Sequence, residues 1–384
     1  MTRASHDIVV VGAGPAGLAA TAAFRQAGGN AICVGPAPPS HTPDRRTTAL
    51  LQGSVRFLTK AGVWDQLAPD AAPLRALRLI DRTGRLFRAP DMLFDASEIG
   101  LRAFGYNVPN TALIGGLINA LGDGFLPTPG VRQIERSEAE ARLALADGSE
   151  LSAKLVVGAD GRNSLCREAA GIGVRSWSYD QTAIVCNFHH KRPHQGTCTE
   201  FHFSGGPFTV VPLPGDASSL VWVERTQDAE ALAALDQADF AQKLAERLGG
   251  LLGDIAEIGP RGVFPLGGLV ARRLTSNRMA LVGEAAHGMP PIGAQGLNLG
   301  FRDVADLAIC LPGADDPGSP EVLAAYERAR RGDVLLRTLA ADLLNRTLIS
   351  AMPLFQLARG GGLLALSLPG PLRRAAIRRG MAVA

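Results

Sequence analysis

Asp7-Ile8-Val9-Val10-Val11-Gly12-Ala13-Gly14-Pro15-Ala16-Gly17-Leu18 is an apolar, β-branched strand that runs into a Gly-x-Gly-x-x-Gly turn and then a helix. Each glycine has a separate task. Gly12 allows a tight turn, Gly14 lets backbone N–H groups approach an anion, and Gly17 lets the helix lie close to the strand. Pro15 suits the first helical position, and the helix N-terminus favours negative charge. Strand, turn and helix together form a dinucleotide-binding βαβ start, with Ile8 to Val11 as strand and Leu18 to Gln26 as helix, ending at Gly28-Gly29.

The second strand, Ala31 to Val34, ends in Gly35-Pro36, where a ribose-binding Asp or Glu is usual. A ribose bound here has to be held by backbone groups, water or residues elsewhere.

Composition narrows the field. A net charge of +3 is too small to favour nucleic acid, and no interleaving of aromatic and basic residues suggests base stacking. Cys33, Cys166, Cys186, Cys198 and Cys310 lack Cys-x-x-Cys spacing, so they fit a reducing compartment and give no metal site. No uninterrupted apolar run approaches the ~20 residues of a membrane span, and no signal peptide is apparent. These features predict a cytoplasmic protein, with any membrane contact peripheral and at the inner face.

Along the chain, Gly35 to Arg46 reads as a loop and Ala49 to Leu58 as a helix. Leu77 to Phe87 reads as a hairpin turning at Thr83-Gly84, and Leu143 to Val157 as another turning at Asp147-Gly148. From Thr182 to Arg225 the texture changes to short alternating strands: Ala183–Phe188, Thr197–Phe203, Phe208–Leu213 and Ser219–Val223. This block predicts an antiparallel sheet. Ala229 to Leu248 follows as one helix, and Met279 to Val282 returns to the first domain as a buried strand. The predicted fold is α/β: a Rossmann-like domain over 1–75, 100–172 and 260–320, an antiparallel-sheet substrate domain over 76–99 and 173–259, and a helical C-terminal region over 321–384.

Two further clusters repeat the pattern of a strand followed by glycine and a carboxylate. In Val156-Val-Gly-Ala-Asp160-Gly161-Arg-Asn-Ser164-Leu-Cys-Arg167 the carboxylate meets a helix start, where it could also be a plain helix cap. The other runs Ala280-Leu-Val-Gly283-Glu284-Ala-Ala-His287-Gly-Met-Pro290-Pro291-Ile-Gly293-Ala-Gln295-Gly296-Leu297-Asn298-Leu-Gly300. So many glycines imply close backbone approach to a flat ligand. Glu284 would accept hydrogen bonds from ligand hydroxyls, and Gly296 and Asn298 would lie at a helix N-terminus.

In order, the three clusters resemble those of the FAD-dependent aromatic hydroxylases, the group A flavoprotein monooxygenases. The Val-Gly-Glu-Ala-Ala-His and Pro-Pro-Ile-Gly-Ala-Gln-Gly-Leu-Asn-Leu-Gly runs are similar to the ubiquinone-biosynthesis branch, with Glu284 where the wider family mostly carries Asp. The likeness extends to Asp44-Arg-Arg46-Thr-Thr-Ala-Leu, Gly105-Tyr-Asn-Val-Pro-Asn110 and Asp342-Leu-Leu-Asn345-Arg. The resemblance implies FAD contacts at Gly12, Gly14, Pro15, Ala16, Gly17, Arg46, Asp160, Gly161, Gly283, Glu284, Gly296, Leu297 and Asn298. It places Pro290, Pro291, Gly293, Gln295 and Gly296 in a flavin-facing loop. It also implies that NAD(P)H reduces the flavin, dioxygen adds at C4a, and the hydroperoxide hydroxylates a polyprenylated phenol. The resemblance leaves membership of a ubiquinone-biosynthesis complex open.

No general base is assigned, because a phenol ring is already electron-rich. His287 reads first as a structural histidine bonded to backbone, with acid–base use second. Phe201, Phe203, Phe208, Val210, Val211, Leu213 and Trp222 alternate as a core, with a ring pocket as the second reading. The apolar stretches Pro353–Leu357 and Gly360–Leu366, beside Arg373, Arg374, Arg378 and Arg379, suggest either a peripheral membrane patch or a packed tail.

Two other functions remain open at this point. A hydroxylase of a small soluble aromatic acid would want a cationic anchor, and the segment from Thr197 to Val223 carries no arginine. A non-catalytic flavoprotein subunit would have no need of the flavin-facing loop.

Overall fold

The computed structural model describes residues 4–38, 44, 46–84, 90–290, 293–349 and 370–380. Valine-rich runs form the first sheet. β1 (Ala4–Val11) lies between β2 (Ala31–Gly35) and β11 (Glu150–Gly158), all parallel, with Val10 opposite both Cys33 and Val157. β8 (Phe125–Pro127) extends the sheet beyond β2, and β19 (Met279–Leu281) beyond β11. β9 (Val131–Arg136) and β10 (Ala141–Leu145) form an antiparallel flap on β11, and β18 (Thr275–Ser276) closes the edge at β19. Val9, Val10, Leu155, Val156 and Val157 are fully buried. Continuous apolar runs are what a parallel sheet covered on both faces requires.

The covering helices are α1 (Pro15–Gln26), α2 (Gln52–Lys60), α3 (Trp64–Leu67), α4 (Asn110–Leu121) and α5 (Leu165–Ala169). Leu18, Leu58, Leu113 and Leu117 meet in one cluster. A small sheet of β3 (Thr47–Leu51), β4 (Ala72–Leu74) and β7 (Gly105–Pro109) joins them to the second sheet.

That second sheet contains β5 (Ala76–Asp81), β6 (Met92–Asp95), β12 (Val174–His190), β13 (Thr197–His202), β14 (Pro207–Leu213), β15 (Ala217–Glu224), β16 (Ile255–Ile258), β17 (Gly262–Ala271) and β20 (His287–Gly288). Two helices, α6 (Thr226–Ala234) and α7 (Gln237–Leu248), cover one face. Helices α8 (Gln295–Cys310), α9 (Pro320–Ile349) and α10 (Pro371–Gly380) complete the described chain.

Several sequence expectations need correction. The segment Ala49–Leu58 begins in β3, because Thr47 to Leu51 pairs antiparallel with β7, and the helix starts only at Gln52. The single helix over Ala229–Leu248 is two, because Leu235 is extended and the Asp236 carboxylate caps α7 by accepting the Asp239 N–H. β5 pairs with Met92–Asp95, and the return strand expected at Leu86–Phe87 lies outside the described residues. The second sheet is not wholly antiparallel, since β13 runs parallel to β5. β17 lies beyond the expected boundary at 260, yet it pairs along β12 and belongs to the second sheet.

The expected apolar stretches between 353 and 366 also fall outside the described residues. In α10, Arg373 is no solvated cation. It is buried against Glu98 at 2.6 Å, and Ile377 packs with Met92, Phe94 and Phe104.

Candidate active site

The first motif sits where three strand ends converge. Gly12 has φ +117°, and a Cβ on it would lie 2.3 Å from Ala159 O, so only glycine fits between β1 and the end of β11. A Cβ on Gly17 would lie 1.9 Å from Gly12 O, which is the close helix approach the sequence implied. Gly14 meets nothing within 4 Å and faces open space. No side chain caps α1, so its first amides remain free for an anion. A cleft of about 770 Å³ opens there, lined by Gly12, Gly14, Gly35, Arg46, Asp160 and Gly161 among others.

The missing ribose acid has a steric explanation. A Cβ at Gly35 would stand 2.7 Å from Ala13 N, so the close crossing excludes any side chain at that strand end. The same cleft is bounded by Thr111, Ile114 and Gly115 of α4, which no local motif had marked.

In the second motif, Asp160 accepts from Ser164 Oγ at 2.5 Å and from the Cys166 N–H at 2.9 Å. Its carboxylate therefore caps α5, and Ala159, Asp160 and Gly161 line the cleft. Arg167 donates to Ala285 O and Arg162 O, tying this motif to the third. Burial pushes the Cys33 thiol up to about 12 and the Cys166 thiol well above its usual value, which suits cysteines that serve as small core residues.

In the third motif, Gly283 has φ +60° and sits against Ala16, and a Cβ on Gly300 would lie 3.2 Å from Gly283 Cα. The turn is thus wedged between α1 and α8. Glu284 is exposed; the hydrogen-bonded Asp44 carboxylate raises the Arg46 guanidinium's pKa, and the charge of Glu284 adds to that effect. His287 does not bond backbone through Nε2. It meets Asp303 Oδ2 at 2.5 Å, while Asp303 also accepts the Gly283 N–H and Arg330 Nε at 2.8 Å. All three side chains are almost completely buried.

Ala294, at φ +54°, precedes α8, which no side chain caps among the described residues, so the amides of Gly296 and Leu297 stand at an open helix start. Gly293, at φ +64°, and the buried Pro290 shape the approach to that end, and Pro291 lies outside the described residues. Asn298, expected to face the ligand, is saturated by protein. Its Oδ1 accepts from Leu51 N and Ser54 Oγ, and its Nδ2 donates to Ala49 O and Ala294 O. The side chain thereby locks β3 and α2 onto α8.

Arg46 is clasped by Asp44 through Nε and one terminal nitrogen, each at 2.8 Å, and Asn110 donates to the same carboxylate. The Arg46 guanidinium lies 5.2 Å from the Phe264 ring centre. Asp44 and Asn110 stood within quoted motifs, but nothing in the sequence gave them this task.

The aromatic set of the second sheet is core. Phe201, Phe208, Val210 and Trp222 pack with Phe240 and Leu244 of α7. Phe264 pairs with Ala183, placing it on the opposite face, which carries Val185, Val221 and Thr209. That half-buried face looks toward Arg46.

Fold and glycine cradle together define a flavin-dependent monooxygenase. The chain belongs to the FAD-binding monooxygenase family: the family model described as FAD binding domain matches residues 5–101 and 130–335. It is 37% identical to ubiquinone hydroxylase UbiL of Rhodospirillum rubrum over 98% of this chain and 89% of that protein. It is 32% identical to 3-demethoxyubiquinol 3-hydroxylase of Escherichia coli, over 98% of this chain and 99% of that one. Among solved structures, p-nitrophenol 4-monooxygenase PnpA from Pseudomonas putida superposes with a TM-score of 0.79 at 18% identity, covering 99% and 98% of the two chains. Klebsiella pneumoniae HpxO complexed with FAD and uric acid gives 0.78 at 18% identity, covering 98% and 96%.

Proposed function

We propose that this FAD-dependent hydroxylase acts in ubiquinone biosynthesis, adding one oxygen to the ring of a polyprenylated phenol at the expense of NAD(P)H and dioxygen. One observation carries the reading. Helices α1 and α8, neither with a side-chain cap, pack on either side of Gly283 through Ala16 and Gly300, an arrangement that suits an elongated cofactor with a pyrophosphate at one end and an electron-accepting ring at the other. Identity with two ubiquinone-pathway hydroxylases along nearly the whole chain supports the substrate class.

Bound FAD supplies the activation of oxygen. The chain's residues hold and tune it. Amides of α1 bind the pyrophosphate, aided by Arg46, which Asp44 keeps oriented. Glu284, which makes no hydrogen bond among the described residues, accepts from the hydroxyls of the cofactor chain. Amides of Gly296 and Leu297 stabilise negative charge on the reduced ring. The substrate ring lies between that loop and the face of Val185, Val221 and Phe264, which excludes water.

The test is a visible spectrum of the purified protein during anaerobic NADH or NADPH addition, with and without a prenylphenol. Faster bleaching with the phenol, then a product heavier by one oxygen, establishes the activity. Absence of retained flavin after FAD addition overturns it.

A further inference from the structure

Helix α9 carries a stripe that the described residues leave uncovered. Leu335, Leu336, Leu339 and Leu343 are between 48% and 68% exposed, and their spacing of three and four places them on one face. Scattered exposed leucines need no explanation, but four adjoining ones do.

Beside the stripe, α9, β12 and β17 bound a cleft of about 740 Å³. Its floor includes Trp177, Val270, Val334 and Leu335, and arginines ring it. Arg175 and Arg272, both exposed, have no ion-pair partner among the described residues. Arg328, one turn before Gly332 on the same stripe, is exposed and likewise unpaired among them. Arg331 and Arg346 are matched to Glu327 and Asp342. Those two carboxylates are spent elsewhere as well: Glu327 accepts from Leu274 N and Thr275 N, and Asp342 from Tyr179. The surface therefore combines exposed leucines with a surplus of positive charge.

We propose that this face docks on an anionic phospholipid bilayer, with the leucines entering the acyl boundary and Arg175, Arg272 and Arg328 meeting headgroup phosphates. Apolar burial and attraction to anionic lipid act together at such a surface. A second copy of the chain fits less well, because a two-fold interface would set each arginine rim against its own image. The proposal stands on the surface itself and does not depend on the proposed substrate, although a prenylated phenol would be met there.

The experiment is cosedimentation of the full chain, loaded with FAD, with vesicles of phosphatidylcholine alone or containing about one third phosphatidylglycerol. Substrate is left out, so the result is independent of the hydroxylase reading. The wild type sediments with the anionic vesicles, and binding weakens as salt rises. The variant Leu335→Ser/Leu339→Ser/Leu343→Ser binds about tenfold or more weakly while keeping its flavin absorbance and melting temperature. Arg175→Ala/Arg272→Ala needs a higher anionic-lipid fraction for half-saturation. Three outcomes overturn the proposal: wild type left in the supernatant, a leucine variant that binds as wild type, or a wild-type dimer that becomes monomeric in the leucine variant without vesicles.

Discussion

Asp303 accepts the N–H of Gly283 at 3.0 Å and His287 Nε2 at 2.5 Å with the same carboxylate oxygen, so one buried charge on α8 fixes both ends of the Gly283–His287 turn. Its other oxygen takes Arg330 from α9. Helix, turn and helix are thereby held as one unit.

Removing that charge takes from Arg330 its fully buried carboxylate and leaves it Asp306 and Asp333, both partly exposed. Asp303→Asn should destabilise by about 3–5 kcal/mol, measured by denaturant unfolding, with parallel loss of bound flavin. Asp303→Leu combined with Arg330→Met should cost less than the sum of the two single changes. Strict additivity would show that the pair does not interact.

Two glycines of the first motif should respond differently. Gly17→Ala forces a Cβ into Gly12 O and should abolish stable folding or flavin retention. Gly14→Ala meets nothing within the protein, so its melting temperature without flavin should stay near wild type while FAD affinity falls. An unchanged FAD dissociation constant in Gly14→Ala would remove the pyrophosphate from this turn.

Burial, with the Asp342 acceptor behind it, pushes the Tyr179 hydroxyl up to about 12 from an ordinary 10. Because the folded value is the higher one, this contribution to stability is complete below pH 10 and is lost as pH rises through 12. Tyrosinate absorbance in Tyr179→Phe should lack one late-titrating group relative to wild type. The same change leaves Trp177 Nε1 without its acceptor and should cost about 1–3 kcal/mol at neutral pH.

The two faces of the second sheet give opposite expectations. Phe208→Ala, in the fully buried cluster under α7, should cost about 3–5 kcal/mol in stability. Val221→Ser, on the face shared with Phe264, should raise KM for a prenylphenol several-fold with a smaller stability loss. Equal KM in wild type and Val221→Ser would move the ring away from that face.

The first-sheet strands could be read from the chain because their cause is local. Val9 to Val11 and Leu155 to Val157 are continuous apolar runs, and glycine follows where the backbone must turn or approach. Ala49–Leu58 misled for an equally physical reason. Its apolar residues suit a helix, but β7 offers Thr47 to Leu51 a hydrogen-bonding edge that no short window reveals. The alternation of Phe201, Phe208 and Trp222 showed that one sheet face is buried, yet alternation does not say which layer buries it.

The sequence by itself determined the βαβ start and the three glycine turns, since each depends on backbone sterics within a few residues. The tertiary structure decided which side chains those turns leave free. Asp160 and Asn298 look like ligand contacts in the chain, but their oxygens are taken by α5, β3 and α2. Asp44, Phe264 and Asp303 acquired their tasks through partners distant in sequence or across the fold. A buried polar group must find a partner, and only the folded chain determines which one is in reach.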